Sequence, residues 1–406
     1  MHTLAHFAKG QWTIESLQSA VTVPYLMWGF IVGSLSDGDG PRANFMADIL
    51  AIQATCALIV LSIQAWSPLR HAYYEFFKVV HIAVAALAVV GVWYHLELKG
   101  LTQIKYVYPV VAAWSLDRLA RFVRIVWYSV GRRQATSTVE ALPGNACRVT
   151  MTLARPWQTH PGQHAYLYMP KLGLWQSHPF SVAWIDGADD VNRDKLATHR
   201  QDVAAGEKMR VSFIIRARTG FTNKLYQKAV AAPGGKMTTT CFVEGPYGAK
   251  HPFDSYGSVV LFAGGVGITH QVPYMKDLVA GFCEGTVATR KVLLVWTIQS
   301  PEHLEWIRPW MTEILGMERR RDVLRIMLFV SQPRSTKEIH SPSSTVQMFP
   351  GRPNIETILS MEQEQQIGAM AVSVCGPGAL SDEVRLAVRR RQSRSSIDFV
   401  EEAFSW

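Results

Sequence analysis

Cysteine is scarce in this chain and carries no pairing pattern. Cys56, Cys147, Cys241, Cys283 and Cys375 are an odd, scattered five among 406 residues, without a CxxC spacing, so the sequence specifies neither a disulfide framework nor a zinc site. Acidic residues are the minority, 32 against 41 Lys and Arg, for a formal net charge of +9. The basic surplus is not spread as a nucleic-acid surface would require. It collects at Arg118, Arg121, Arg124, Arg132 and Arg133, just after the last hydrophobic segment, and at Arg389, Arg390, Arg391 and Arg394. The first group reads as a cytosolic flank under the positive-inside bias and the second as a solvated helix face, which sets nucleic acid aside as a partner. A basic n-region with a cleavable apolar core is missing from the N-terminus, so no signal peptide is expected. Internal repeats and low-complexity tracts are also missing.

What the chain has in quantity is apolar sequence, unevenly distributed. Hydrophobic residues make up 48% and the mean hydropathy is +0.06, high for a soluble protein, and the longest runs lie near the N-terminus. Residues 44 to 66 and 76 to 94 each approach the roughly 20 residues that a bilayer-crossing helix needs. A third span is predicted at about 103 to 117, with Tyr106, Tyr108 and Trp114 at its interfacial ends. Val21 to Val32 is only long enough for a half-span or interfacial segment. From about residue 136 short β-rich runs, including Ala165 to Met169, Val182 to Trp184 and Val211 to Ile215, read as a barrel. From about residue 257 β runs alternate with helices: strands at Val259–Ala263, Val292–Ile298, Leu324–Val330 and Ala371–Cys375, helices from about Gln271, Glu302, Ile355 and Ser381. That alternation implies a parallel sheet with crossover helices. The expected domains are 1–135, 136–252 and 253–406.

Two local patterns carry chemistry by themselves. His81 and His95 are fourteen residues apart on one expected membrane helix, about 40° short of four full turns and about 21 Å apart along the axis, so their imidazoles project from nearly one face at two depths. Histidine inside a bilayer is costly and is generally there for a partner or a ligand. The second pattern is the run Phe262 to His270, FAGGVGITH, behind an apolar strand. Gly264, Gly265 and Gly267 permit close backbone approach and Thr269 stands at a helix start, as a pyrophosphate cradle requires.

The glycine run is preceded by Pro161 to His164, His178-Pro179-Phe180-Ser181, Gly220-Phe221-Thr222 and Glu244 to Gly248, and followed by Cys375-Gly376-Pro377-Gly378 and the terminal Phe404-Ser405-Trp406. This order, over about residues 136 to 406, closely resembles the ferredoxin-reductase-like module of the ferric reductase and NADPH oxidase family. The resemblance implies a multidomain chain: a partial α-helical transmembrane haem domain, then an antiparallel β-barrel FAD domain and an α/β parallel-sheet NADPH domain. Phe180 would lie against the isoalloxazine ring, Ser181 near flavin N5, and His178 and Pro179 with them toward the ribityl or pyrophosphate region. Gly220 and the Thr222 hydroxyl would meet the flavin pyrophosphate. Cys375, with Gly376 behind it, would stand beside the nicotinamide and shape hydride geometry rather than act as a nucleophile. Arg352, with Arg334, would favour NADPH over NADH through the 2′-phosphate, and Trp406 would cover the flavin face.

The same resemblance makes His81 and His95 axial ligands of two stacked b-type haems, with His2 matching a further ligand and pairing with His95. The first ligand of that pair would fall about fourteen residues before His2, ahead of Met1, and the family has more helices upstream. A chain shortened at its N-terminus is therefore expected, with one haem or none where ligands are missing. About twenty residues, Gly33 to Gln53, also intervene where the family runs on from Trp28-Gly29. The implied activity is electron transfer from cytosolic NADPH through FAD and haem to ferric or cupric chelates. It implies a multi-pass protein in contact with membrane lipid, in the plasma membrane, with a multicopper oxidase or permease as partner in metal uptake. Oxygen as acceptor, giving superoxide, and a membrane-tethered NADPH diaphorase or non-catalytic subunit remain open alternatives.

Overall fold

The computed structural model describes residues 41–66, 74–130, 136–173, 176–186, 209–333, 341, 343–393 and 395–402. His2, the segment Val21 to Val32, Arg334 and Trp406 lie outside them. The chain divides into two units, residues up to Arg121 and from Phe122 to Ser405.

The first unit is built on helices α1 (Pro41–Gln64) and α2 (Tyr74–Leu98). They run antiparallel, as their contacts show: Ala47 meets His95, Ala54 meets Gly91, and Gln64 meets His81. The seam is made of small side chains. Ala47, Ala51, Ala54 and Ala57 are buried on α1, and a Cβ on Gly91 would come within 3.0 Å of the Ala54 Cβ and 3.1 Å of the Leu50 carbonyl oxygen. Small residues of this kind let two apolar helices approach where no hydrophobic driving force exists between them. Outward faces carry Phe45, Ile52, Ile63, Phe76 and Val79, all more than half exposed. Asn44–Gln64 and Phe76–Leu98 are long and apolar enough to cross a bilayer, with mean hydropathies of 2.0 and 2.1. The third expected span forms a helix, α3 (Ile104–Ser129), but it continues through Asp117, Arg118, Arg121 and Arg124 rather than ending before them. Those charges leave two candidate spans, not three, among the described residues.

In the second unit, an antiparallel lobe comes first. Strands β1 (Thr136–Leu142), β2 (Ala146–Thr152), β3 (His164–Tyr168), β4 (Ser177–Ser181), β5 (Trp184–Asp186) and β6 (Arg210–Arg216) are followed by α4 (Gly220–Ala231), β7 (Lys236–Thr240) and β8 (Phe242–Tyr247). They form two antiparallel sheets, ordered β5-β6-β2-β1-β7 and β4-β3-β8. Val139, Val149, Met151, Leu167, Phe213 and Val243 fill one core between the sheets, and α4 adds Phe221, Leu225 and Ala229 at helical spacing. The run Val182 to Trp184 is not one strand, as its apolar character predicts, but the corner between sheets. Val182 N–H donates to Gln163 and Ala183 N–H to Ser212, so the chain leaves β3's sheet and joins β6's within two residues.

The second lobe contains β9 (Ser258–Gly264), α5 (Ile268–Glu284), β10 (Lys291–Ile298), a 3-10 turn at Pro301–Trp306, α6 (Arg308–Gly316), β11 (Leu324–Val330), β12 (Val346–Pro350), α7 (Ile355–Glu364), β13 (Met370–Cys375), α8 (Gly378–Arg389) and β14 (Ile397–Glu402). All six strands are parallel, in the order β12-β11-β10-β9-β13-β14. β9 and β13 are buried at every residue, as central parallel strands covered on both faces must be. β12 and β14 escaped the sequence reading because edge strands carry polar residues, as in Ile397–Glu402. The expected helix at Glu302 is the 3-10 turn and α6 in succession.

The two lobes share a core. Leu142, Ala146, Ala183, Trp184 and Ile214 pack with residues of the parallel-sheet lobe. The Trp184 and Trp310 rings stack at 5.7 Å, and Trp306 Nε1 donates to the Pro143 carbonyl at 2.7 Å. Arg148 on β2 donates to the Glu305 and Trp306 carbonyls at 3.0 and 2.9 Å. Arg148→Ala would leave both carbonyls without that donor, and we expect it to cost about 1–3 kcal/mol, read as a lower chemical-denaturation midpoint of the purified chain.

Candidate functional site

In the parallel sheet, the strand order runs one way from β9 through β10 to β12 and the other way through β13 to β14. Ligands of open α/β sheets bind at such a reversal, beyond the carboxyl ends of the strands. Gly264, Gly265 and Gly267 stand at the end of β9, and Cys375 and Gly376 at the end of β13. A Cβ on Gly267 would lie 2.0 Å from the Cys375 carbonyl oxygen, one on Gly264 2.5 Å from Pro377 Cδ, and one on Gly376 2.9 Å from the Gly264 nitrogen. Gly265 is left-handed, at φ +54°. The two loops therefore meet backbone on backbone, and α5 starts directly behind them with its N-terminal N–H groups available to an anion.

Buried polar groups fix this arrangement from below. Trp296 Nε1 donates to the Gly265 carbonyl at 3.0 Å. Gln271 Nε2 donates to the Phe262 carbonyl at 3.2 Å and to the Ser373 hydroxyl at 3.1 Å, tying β9 to β13. Thr269 is buried, and its hydroxyl donates to the Val266 carbonyl at 2.8 Å. It braces the loop from inside.

Cys375 is fully buried. Burial, and then the neighbouring Glu402 carboxylate, push its thiol well above the usual range, so the side chain is a neutral, shape-giving group and not a thiolate nucleophile. Glu402 pairs with Cys375 in the β13–β14 register, and burial raises its carboxyl as well. Sequence reasoning passed over Glu402; its signal is a carboxylate ending a β run beside the terminal aromatics. Arg352 is exposed just beyond β12, on a loop that Gly351, at φ +86°, ties to β11 through the Val330 carbonyl.

On β4, Ser177, Pro179 and Ser181 are buried while His178 and Phe180 are half-buried. Adjacent strand residues point to opposite faces, so Phe180 and Ser181 can meet one planar ring only where the strand ends, and Ser181 is its last residue. The His178 ring stacks on Phe221 at 4.7 Å, which brings the His-Pro-Phe-Ser strand to the start of α4, where Gly220 is left-handed at φ +57°. Thr222 Oγ1 accepts from the Arg218 N–H and donates to the Thr219 carbonyl at 3.2 Å. Its O–H is directed within the turn, which leaves the first backbone N–H groups of α4 open to an anion.

A polar group unanticipated from sequence lies on β8. Glu244 is fully buried and accepts from the Tyr168 hydroxyl at 2.7 Å and the Tyr247 hydroxyl at 2.6 Å. Tyr247 also packs with His164 and Tyr166 and lies under the Arg124 guanidinium, 5.1 Å from the ring centroid. Val243 N–H donates to the Ser129 hydroxyl at 3.0 Å, so the last turns of α3 grip β8 twice.

In the first unit, both expected haem-ligand imidazoles face α1. His95 Nδ1 lies 2.8 Å from the Ala47 carbonyl, which can only accept, so Nδ1 carries the proton and Nε2 keeps the lone pair that iron would need. His81 is half-buried, its Nδ1 3.4 Å from the Gln64 amide and its ring against Phe77 at 5.1 Å. The tautomer at His95 fits an iron ligand. The two are the only histidines among the described residues of this unit, whereas bis-histidine ligation at two depths needs four.

A flavin motif on an antiparallel lobe joined to a glycine-lined switch point on a parallel sheet defines an NAD(P)-dependent flavoprotein reductase with the ferredoxin-reductase-like fold. Residues 132–196 match the FAD-binding domain and residues 256–389 the ferric reductase NAD-binding domain. The chain is 28% identical over 388 residues to ferric reductase transmembrane component 3 of Saccharomyces cerevisiae, covering 87% of this chain and 50% of that protein. It is 31% identical over 264 residues to a probable cell surface ferric reductase of Aspergillus oryzae, covering 63% of this chain and 33% of the relative. Among solved structures it is similar to a cytochrome P450 reductase from Amycolatopsis, with 20% identity, a TM-score of 0.43, and coverage of 68% and 71% of the two chains. The chain thus carries a ferric reductase NAD-binding domain and an FAD-binding domain, and its relatives are fungal ferric reductase components. It spans half the length of the first relative and a third of the second.

Gly267→Ala should force β9's loop away from the Cys375 carbonyl. We expect at least about a tenfold rise in KM for NADPH, with flavin content unchanged, in a steady-state assay with a soluble dye acceptor.

Proposed function

We propose that the chain carries electrons from cytosolic NADPH, through FAD and b-type haem, to ferric or cupric ions, as a membrane ferric-chelate reductase. The observation that carries this reading is the backbone-on-backbone crevice at Gly264 to Gly267 and Cys375, built in a chain that also holds two membrane-length helices with histidines at two depths. Bound FAD supplies the conversion of a hydride's electron pair into single electrons. The residues around it do the positioning. The start of α5 receives the coenzyme pyrophosphate, Arg352 favours the 2′-phosphate, Cys375 and Gly376 fix the nicotinamide edge, and Phe180, Ser181 and His178 hold the flavin. Trp406 covers the flavin face until nicotinamide enters.

His81 and His95 would hold haem iron, joined by His2, and the electron route would run outward across the bilayer to metal for uptake at the plasma membrane. The presence of just two histidines among the described membrane residues supports a second reading, a membrane-tethered NADPH diaphorase. A dithionite-reduced minus oxidised spectrum of the detergent-purified chain decides between them: a b-haem signal with flavin supports the full relay, and flavin alone leaves the diaphorase. For the coenzyme site, Cys375→Ala should slow anaerobic flavin reduction by NADPH about tenfold or more with bound FAD retained, and an unchanged stopped-flow rate would refute the role given to that side chain.

A further inference from the structure

Hydride delivery brings two electrons and one proton into a flavin site, but single-electron delivery to ferric ions carries no proton out. One NADPH and two ferric ions give NADP+, two ferrous ions and one proton. Each turnover must therefore release a proton from the flavin nitrogen that took the hydride, and inside protein that needs a base and a path to water.

His164 stands where such a base is required. It begins β3 and pairs with Ser181 on one side and Tyr247 on the other, so the three side chains share one row of one sheet face. Its half-buried ring is flanked by Tyr166 at 5.9 Å and Tyr247 at 6.0 Å. Burial lowers its pKa below the usual 6.5, which keeps it a neutral acceptor at physiological pH. Beyond it lie two left-handed glycines, Gly248 at φ +106° and Gly162 at φ +83°. A Cβ on Gly248 would be 3.7 Å from His164 Nδ1 and 3.5 Å from the Gly162 carbonyl, and one on Gly162 would be 3.0 Å from His270 Cε1.

His270 is buried, and neither ring nitrogen has a hydrogen-bond partner among the described residues. Burial, with further opposition from His251 and His164, holds it neutral, its pKa down to about 3. His251, together with His160 and Tyr274, lines a cleft of about 760 Å³ that none of Gly264, Gly265 or Cys375 touches. The titratable and charged groups around His164 are Tyr166 on its own strand, Tyr247 with Glu244 on β8, Arg124 over Tyr247, His270 and Tyr274 on α5, and His251 on the following loop.

We propose that His164 accepts the proton released at the flavin and that His270 and His251 pass it to the cleft. The N–H bond formed by the hydride breaks with its electron pair staying on the ring, the pair that leaves as two single electrons. A new N–H bond forms on His164, and the proton moves through the imidazoles to water. This rests on the proposed placement of Ser181 beside the flavin ring. The test uses the full detergent-purified chain, wild type, His164→Gln and His251→Gln. Flavin content and the flavin midpoint potential against pH are measured first, then anaerobic reduction by NADPH and reoxidation by ferric citrate in stopped flow. We expect the wild-type potential to show a change of slope below pH 6.5 that His164→Gln abolishes. Reduction by NADPH should stay within about twofold while reoxidation slows about tenfold or more, with partial rescue by added imidazole. Wild-type reoxidation should fall as pH drops through the lowered imidazole pKa. His251→Gln, at the exposed end, should slow reoxidation less and recover in concentrated buffer. Variants that bind flavin yet match the wild-type slope and reoxidation rates overturn the proposal alone. A wild-type chain without flavin overturns the flavin reading and this proposal with it.

Discussion

The reductase module depends on a place where no side chain fits. The ends of β9 and β13 approach so closely that the Gly267 position is closed to any Cβ by a carbonyl oxygen 2.0 Å away. What this secures is the relation between the start of α5, with N–H groups open to an anion, and Cys375, the residue proposed to stand beside the nicotinamide. Gln271 and Ser373 hold the two strands together just beneath, and Trp296 pins the loop from β10. A side chain at the contact would move the start of α5 relative to Cys375, and in the proposed coenzyme site hydride transfer is sensitive to errors of that size.

Much of this was legible in the sequence because backbone demands leave local marks. Glycines at fixed offsets behind an apolar strand, a His-Pro-Phe-Ser strand and a Cys-Gly-Pro-Gly turn each specify a conformation within a few residues. The continuous apolar runs of β9 and β13 announced strands covered on both faces. What stayed hidden depends on partners distant in sequence. Glu402 matters because register sets it beside Cys375, and Glu244 because Tyr168, 76 residues away, donates to it. No local period reports either. The corner at Val182 and Ala183 looked like strand since both residues are buried, and only their hydrogen-bond acceptors, Gln163 and Ser212, reveal the change of sheet. Thr222 and Thr269 show what a hydroxyl near a helix start does locally: each donates to a carbonyl of its own turn, a contact that no sequence period reports.

The two long apolar helices follow a different logic. Their seam is alanine and glycine, so it contributes closeness rather than buried bulk, and the closeness lets His95 reach the Ala47 carbonyl across the pair. A histidine whose tautomer is already set loses less freedom on binding a metal than one that must first choose. α3 was misjudged because hydropathy ends a span at charge, while helical hydrogen bonding continues wherever the backbone permits.

The core common to the two lobes also bears on how such modules can be recombined. Trp184, Arg148 and Pro143 belong to one lobe, and Trp310, Trp306 and Glu305 to the other, yet neither set is complete alone. A nucleotide lobe transplanted from another reductase would have to bring a matching aromatic face and carbonyl pair, or the flavin lobe would be left with exposed indole and an unsatisfied guanidinium. On the proposed role of Arg352, coenzyme preference is thus more readily changed by loop substitutions at the edge of the sheet, around Gly351 and Arg352, than by exchange of whole lobes.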